Sequence, residues 1–184
     1  VGPATLRLAG QVCDGVRLHP LCTRRYLEEV CLPKILDGMK RGGRARDHFD
    51  LHGGGFVCTG ADDEAVAKSM DWARQRIAFY ASTRTYRPIL ALHGLEDVGL
   101  KLHELTRQGR WGEMAKEISD DTLHTFAACG RYDQIPDEIE RRFAGAADAI
   151  EIFLPPDQEI GAVREMLTDI RRLPQAFEGF RSQW

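Results

Sequence analysis

The chain has 184 residues, 43% of them hydrophobic and 29% charged, with a formal net charge of −3. That length suits one domain with a real core, and the acidic balance argues against a broad phosphate-binding surface, hence against nucleic acid as partner. No apolar run approaches the ~20 residues that span a bilayer, and the first ten residues lack the basic start of a secretory signal, so a cytoplasmic protein without membrane contact is expected.

Residues 4–13 read as a short helix, with Leu6, Leu8, Ala9 and Val12 able to face a core. A brief strand over 14–19 follows, ended by Pro20. Thr23 can cap a helix reaching Met39, whose apolar positions recur every three to five residues. Pro33 falls inside that pattern and predicts a kink or a broken first turn, and Gly42-Gly43 predict the stop. The next strand is expected over 49–59, strongest at 55–59 and weakened by Gly53-Gly54-Gly55. Asp62, Asp63 and Glu64 favour the opening turn of a long helix striped with Val66, Met70, Ala73, Ile77 and Tyr80. Residues 81–130 carry no strand signal and read as short helices punctuated by glycines. A helix over 133–143, a strand over 148–154 closed by Pro155-Pro156, and a helix over 159–173 complete the chain.

Strands alternating with amphipathic helices predict an α/β fold with a parallel sheet. Three parallel strands alone leave two bare edges, and such sheets are normally covered on both faces. The order of elements therefore predicts further strands upstream, the chain being one domain over 1–184.

Five cysteines without a C-x-x-C pair fit reduced, buried thiols better than a disulfide framework or a metal site. The basic stretch from Lys40 to Arg46 sits where a helix ends, a position that favours cations without any nucleic acid. His48 and His52 stand four apart, outside a helix, with no third ligand in sequence.

The stretch G-P-A-T-L-R-L-A-G-Q-V-C-D-G-V-R-L-H-P at 2–20 resembles the segment after the fifth barrel strand of luciferase-like oxidoreductases. Further matches follow in order: R-Y-L-E-E-V-C-L-P at 25–33, A-F-Y-A-S-T-R-T-Y-R at 78–87, L-H-G at 92–94, G-R-W-G-E-M at 109–114 and I-S-D-D at 118–121. The set is similar to the deazaflavin-dependent branch of that family. The resemblance implies part of a (β/α)8 TIM barrel, comprising strands six to eight with a helical insertion over 81–130 before the last strand. It also implies hydride transfer between coenzyme F420, a deazaflavin, and a small organic substrate. With FMN in its place, monooxygenation becomes the alternative. The family's N-terminal strands supply much of the redox pocket, so the catalytic residues stay unassigned. A truncated, non-catalytic homologue or partner subunit is the competing class. Homo-oligomers, or association with the missing N-terminal half, follow from the bare edges.

Gly2, Pro3 and Ala4 are the cofactor-contact candidates. A turn opening a helix offers unpaired N–H groups and the positive dipole end, and the resemblance implies that this turn holds a cofactor phosphate. His19 ends a strand on the face where such barrels place active sites, with a histidine bonded to a loop carbonyl as the bland alternative. Tyr86 and Arg87 are the pocket candidates beside the insertion, Arg87 as a bidentate partner for a carboxylate or phosphate. Tyr80 reads as core, and His93 as a cation offsetting a helix end. Asp14 and Asp148, each opening a strand, read as structural partners of arginines.

Overall fold

The computed structural model describes residues 2–154 and 159–180. Helix α1 (Pro3–Val12) opens on proline at a first-turn position, where its missing N–H costs nothing. Strand β1 (Gly15–Arg17) follows, so His19 lies just past the strand that was expected to contain it. Helix α2 (Arg24–Tyr26) is capped by Thr23, whose hydroxyl accepts from the Tyr26 N–H. It passes through a π-helical turn (Leu27–Cys31) into α3 (Leu32–Gly42). The π turn absorbs Pro33. Proline cannot donate back into an α ladder, and here the chain widens, the Leu32 N–H reaching Leu27 O five residues back. Glycine lets α1 and α3 meet backbone to backbone: a Cβ on Gly38 would sit 2.0 Å from Arg7 O.

Strand β2 (Asp50–His52) pairs parallel with β1, Gly15 opposite Asp50 and Arg17 opposite His52. His52 in turn forms a parallel bridge with Ala149. Three segments thus lie side by side in parallel, as neighbouring barrel staves do. The strand expected over 49–59 is two strands. At Gly53-Gly54-Gly55 the chain bends, Gly55 holding φ +110, and β3 (Phe56–Gly60) departs to pair with β4 (Ala127–Arg131) instead. Side-chain volume forbids anything larger in the bend, since a Cβ on Gly54 would lie 2.2 Å from His19 O.

Asp62 caps the long α4 (Asp63–Ala81) through the Ala65 N–H. The insertion then runs as a 3-10 turn (Arg84–Tyr86), α5 (Arg87–Leu92), α6 (Glu96–Arg107), a 3-10 turn (Trp111–Glu117) and α7 (Asp120–Phe126). Its helical part stops at Phe126, because 127–131 is β4. That strand escaped the sequence pattern, being short and built from A-A-C-G-R, poor β formers stabilised only by pairing with β3. Helices α8 (Ile135–Phe143) and α9 (Ile160–Ile170) close the order. Of the strand expected over 148–154, only the bridge at Ala149 is formed, and Pro155-Pro156 lie outside the described residues.

Two cores result. One joins β1 and β2 to α1, α3, α8 and α9 through Leu6, Ile35, Leu51, Ile139 and Met166. The other lies under the insertion, around Ile77, Leu90, Leu102 and Phe126. Val16, Leu51, Ile150 and Ile152 point into the first core, so the period-two alternation turns Arg17, Asp50, His52 and Glu151 to the opposite face. The basic stretch is absorbed locally: Arg41 pairs with Asp37, Arg44 with Asp14 and Arg46 with Asp148. No described helix is long and apolar enough to cross a membrane.

Asp148 fixes the register of this assembly. Its carboxylate, 1% exposed, accepts from Arg46 (2.7 Å), from the Leu51 N–H (2.8 Å) and from the Ala176 and Phe177 N–H groups (2.9 Å each). Four donors replace the water a buried carboxylate loses. Asp148→Ala removes the acceptor and strands the donors, and we expect it to cost about 3–5 kcal/mol, read by urea denaturation. A loss within the range of an ordinary surface substitution would refute this assignment.

Candidate active site at the carboxyl ends of the strands

Parallel strands in α/β folds present their carboxyl ends, with the loops that follow, to ligands. His19, two residues past β1, heads this edge. Its Nδ1 accepts from the Leu21 N–H (3.1 Å), which in the neutral ring leaves the proton on Nε2. The imidazole meets Tyr80 edge-on, centroids 4.4 Å apart, and lies 4.7 Å from the Tyr86 ring. Tyr80 therefore belongs to this ring cluster rather than to the core stripe alone. Burial pushes the His19 pKa below its usual value and raises that of the Tyr86 phenol. A cavity of about 40 Å³, enough for a water molecule, opens between His19, Cys22, Cys31, Tyr26 and Tyr86.

Beyond Tyr80 the site widens into a hollow of about 340 Å³, lined among others by Arg17, Trp72, Arg76, Glu151 and Phe153. Arg17 and Glu151 form an ion pair across it. The Arg76 guanidinium sits 5.5 Å from the Trp72 ring centroid, and no ion pair engages it among the described residues. Trp72 and Phe153, 6.2 Å apart, also wall a second hollow of about 600 Å³ over the β3–α4 junction. Thr59 lines that second hollow. Its hydroxyl is buried, yet it has no hydrogen-bond partner among the described residues. A buried hydroxyl without a partner is costly, and so marks a place where a ligand's polar group would be stabilised.

Two of the six sequence-predicted site residues come together here, His19 with Tyr86. Arg87 is exposed at the start of α5, with no hydrogen bond or ion pair among the described residues. Gly2, Pro3 and Ala4 stand at the opening of α1, which carries no side-chain cap. A helix leading back into a parallel strand starts at the strand's carboxyl side, which puts this turn at the same edge of the layer as His19. Neither backbone nor packing demands the glycine: Gly2 has φ −78, and a Cβ there meets nothing within 4 Å.

Sequence reading missed Arg17, Thr59, Trp72, Arg76, Glu151 and Phe153. A signal existed for some of them. Trp72, Arg76 and Phe79 recur at helical spacing on α4 beside its core stripe, and Arg17 and Glu151 occupy the polar phase of their segments.

His93 stands at the end of α5, as expected, and is engaged there by neighbours. Its Nε2 lies 2.8 Å from Thr23 Oγ1 and its ring meets Phe126 edge-on, tying the insertion to the start of α2. Burial first, then the neighbouring Arg25, lower its pKa. His19 and His93 thus bind protons more weakly folded than unfolded. Their contribution to stability is complete above the unfolded value near 6.5 and is lost as pH falls through the folded values. Thermal melts between about pH 7.5 and 5 should show Tm falling with acidification. The fall should be shallower in His93→Gln, and equal slopes in both proteins would exclude His93 as a source.

The architecture defines the class: an α/β layer with adjacent parallel strands and a helical excursion, matching part of a luciferase-like (β/α)8 barrel. Residues 1–149 match the luciferase-like monooxygenase family, and the chain belongs to it. An uncharacterized protein of Mycobacterium bovis is 39% identical over 173 residues, covering 94% of this chain and 50% of that protein. The 5,10-methylenetetrahydromethanopterin reductase of Methanopyrus kandleri is 26% identical over 161 residues, covering 86% of this chain and 44% of its own length. The solved coenzyme F420 dependent tetrahydromethanopterin reductase from Methanopyrus kandleri superposes with TM-score 0.67 at 20% identity, over 94% of this chain and 48% of that one. The chain therefore spans about half the length of the relatives it matches.

Proposed function

We propose that this chain is the C-terminal wall of an oxidoreductase that passes a hydride between coenzyme F420 and a small organic substrate. The reading rests chiefly on the Thr59 hydroxyl, buried without a partner beside the Trp72–Phe153 wall and the two hollows at the strand ends. These residues fit a flat, polar redox ring. Trp72 and Phe153 offer faces to stack on, Thr59 a donor or acceptor for a ring heteroatom, and Arg76 a charge for an anionic group. The N–H groups of Ala4 and Thr5, free of intrahelical acceptors at the α1 start, suit a phosphate on the cofactor tail. When bound, the deazaflavin supplies the hydride chemistry. His19 and Tyr86 close the inner side against water, with the His19 Nε2–H facing as a neutral donor. Arg87, exposed next to Tyr86 at the start of α5, is the residue proposed to pair with an acid group of substrate or tail.

The F420-dependent relatives favour the deazaflavin over FMN; with FMN bound, the family chemistry would be monooxygenation. The half-length match favours a second reading, a subunit that needs another chain, a second copy or an N-terminal half, to complete the pocket.

Titration of the chain with coenzyme F420 and, separately, with FMN, followed by cofactor fluorescence, tests this. F420 should bind more tightly than FMN. Arg76→Ala and Arg87→Ala should each weaken it about tenfold or more, the size of a lost charge-assisted hydrogen bond, with melting curves unchanged. Absence of binding by either cofactor at high micromolar concentration would overturn the cofactor reading and favour the incomplete subunit.

A further inference from the structure

Cys58 and Cys129 occupy matching positions in the parallel β3–β4 ladder. Partners so paired sit about 4.8 Å apart, inside the Cα separation of about 4.4–6.8 Å that a disulfide spans, and project to the same face of the sheet. Both thiols are free. Cys58 is buried, whereas Cys129 is partly open to solvent. Arg74 on α4, bonded to the Ile118 carbonyl and Asp120, and Arg142 on α8, bonded to the His124 and Thr125 carbonyls and to Glu138, act on Cys58 through their charge. An activated thiol beside guanidinium groups, with a second thiol in reach to resolve the product, is the arrangement redox-sensitive cysteines share.

We propose that Cys58 and Cys129 form a peroxide-oxidisable dithiol whose disulfide fastens the strand returning from the insertion to β3. The Cys58 thiolate attacks one oxygen of hydrogen peroxide; the O–O bond breaks, giving a sulfenic acid and hydroxide. The Cys129 thiol then displaces water from that sulfur. Two thiols lose two electrons in all, peroxide gains them, and two waters leave. Cys58 suits the first step: the adjacent Cys129 thiol, then Ser69, Arg142 and Arg74, lower its pKa against the opposing effect of its own burial. The same contact, with burial, raises Cys129, which holds its proton until the second step. The cross-link encloses residues 58 to 129, hence the whole insertion, and locks β3 next to Thr59 at the rim of the candidate site.

The test exposes the chain to a small excess of hydrogen peroxide, alkylates it unfolded, and maps tryptic peptides. Peptides 47–68 and 117–131 should appear linked, alkylatable thiols should fall from five to three, and dithiothreitol should restore them. Cys129→Ser should give no link and a dimedone-trapped sulfenic acid on Cys58. Oxidation should raise the Tm of the wild type and leave that of Cys129→Ser unchanged, since a long closed loop restricts the unfolded chain. Five alkylatable thiols after peroxide would overturn the proposal. So would a link confined to peptides 18–24 and 26–34, which carry Cys22 and Cys31.

Discussion

The buried Asp148 carboxylate is the constraint on which the layer depends. It accepts from Arg46 before β2, from Leu51 within β2, and from the backbone of Ala176 and Phe177 after α9. Its own N–H donates to Leu51 O. One residue thereby holds the middle strand, the chain entering the Ala149 bridge, and the C-terminal segment in a single register. A one-residue slip of β2 would turn Leu51 out of the core and Asp50 and His52 into it. The polar face at the strand ends exists because that slip is prevented.

Glycine shapes the rest of the site. The bend at Gly53-Gly54-Gly55 sends β3 away from β2 toward β4, and the divergence leaves the hollows between β1, the 150s segment and α4. The close approach of Gly54 to His19 O holds the loop that carries the imidazole. From there Tyr80 and Tyr86 extend the wall into the insertion, and the Thr23–His93 hydrogen bond ties the insertion back to α2. Burial lowers the pKa of both imidazoles, and Arg17 and Arg76 supply fixed positive charge at the hollow beyond Tyr80.

Membership in the luciferase-like monooxygenase family agrees with this layout, as does the superposition on half of the reductase barrel. The sheet face carrying Arg17, His52 and Glu151 is the one opposite the core that the helices cover. In a closed barrel that side faces the lumen, where polar side chains next to the strand ends meet substrate.

Long-period patterns were legible in the sequence itself: α1, the capped helix after Thr23, and α4 with its acidic first turn all follow from apolar spacing and caps. So did the parallel α/β class and the structural duty of Asp14 and Asp148, since acidic residues opening strands beside arginines leave few other roles. Tertiary structure alone decided the rest. Whether 49–59 makes one strand or two depends on partners 35 residues earlier and 71 residues later in the chain, and A-A-C-G-R becomes a strand only because β3 lies beside it. At Pro33, where a kink or a broken first turn was expected, the chain passes through a π turn and restarts α3 with the proline in its first turn. The Thr59 hydroxyl, the Arg17–Glu151 pair and the Cys58–Cys129 register are products of chain crossings, and local sequence carries no information about which distant atoms a side chain will meet.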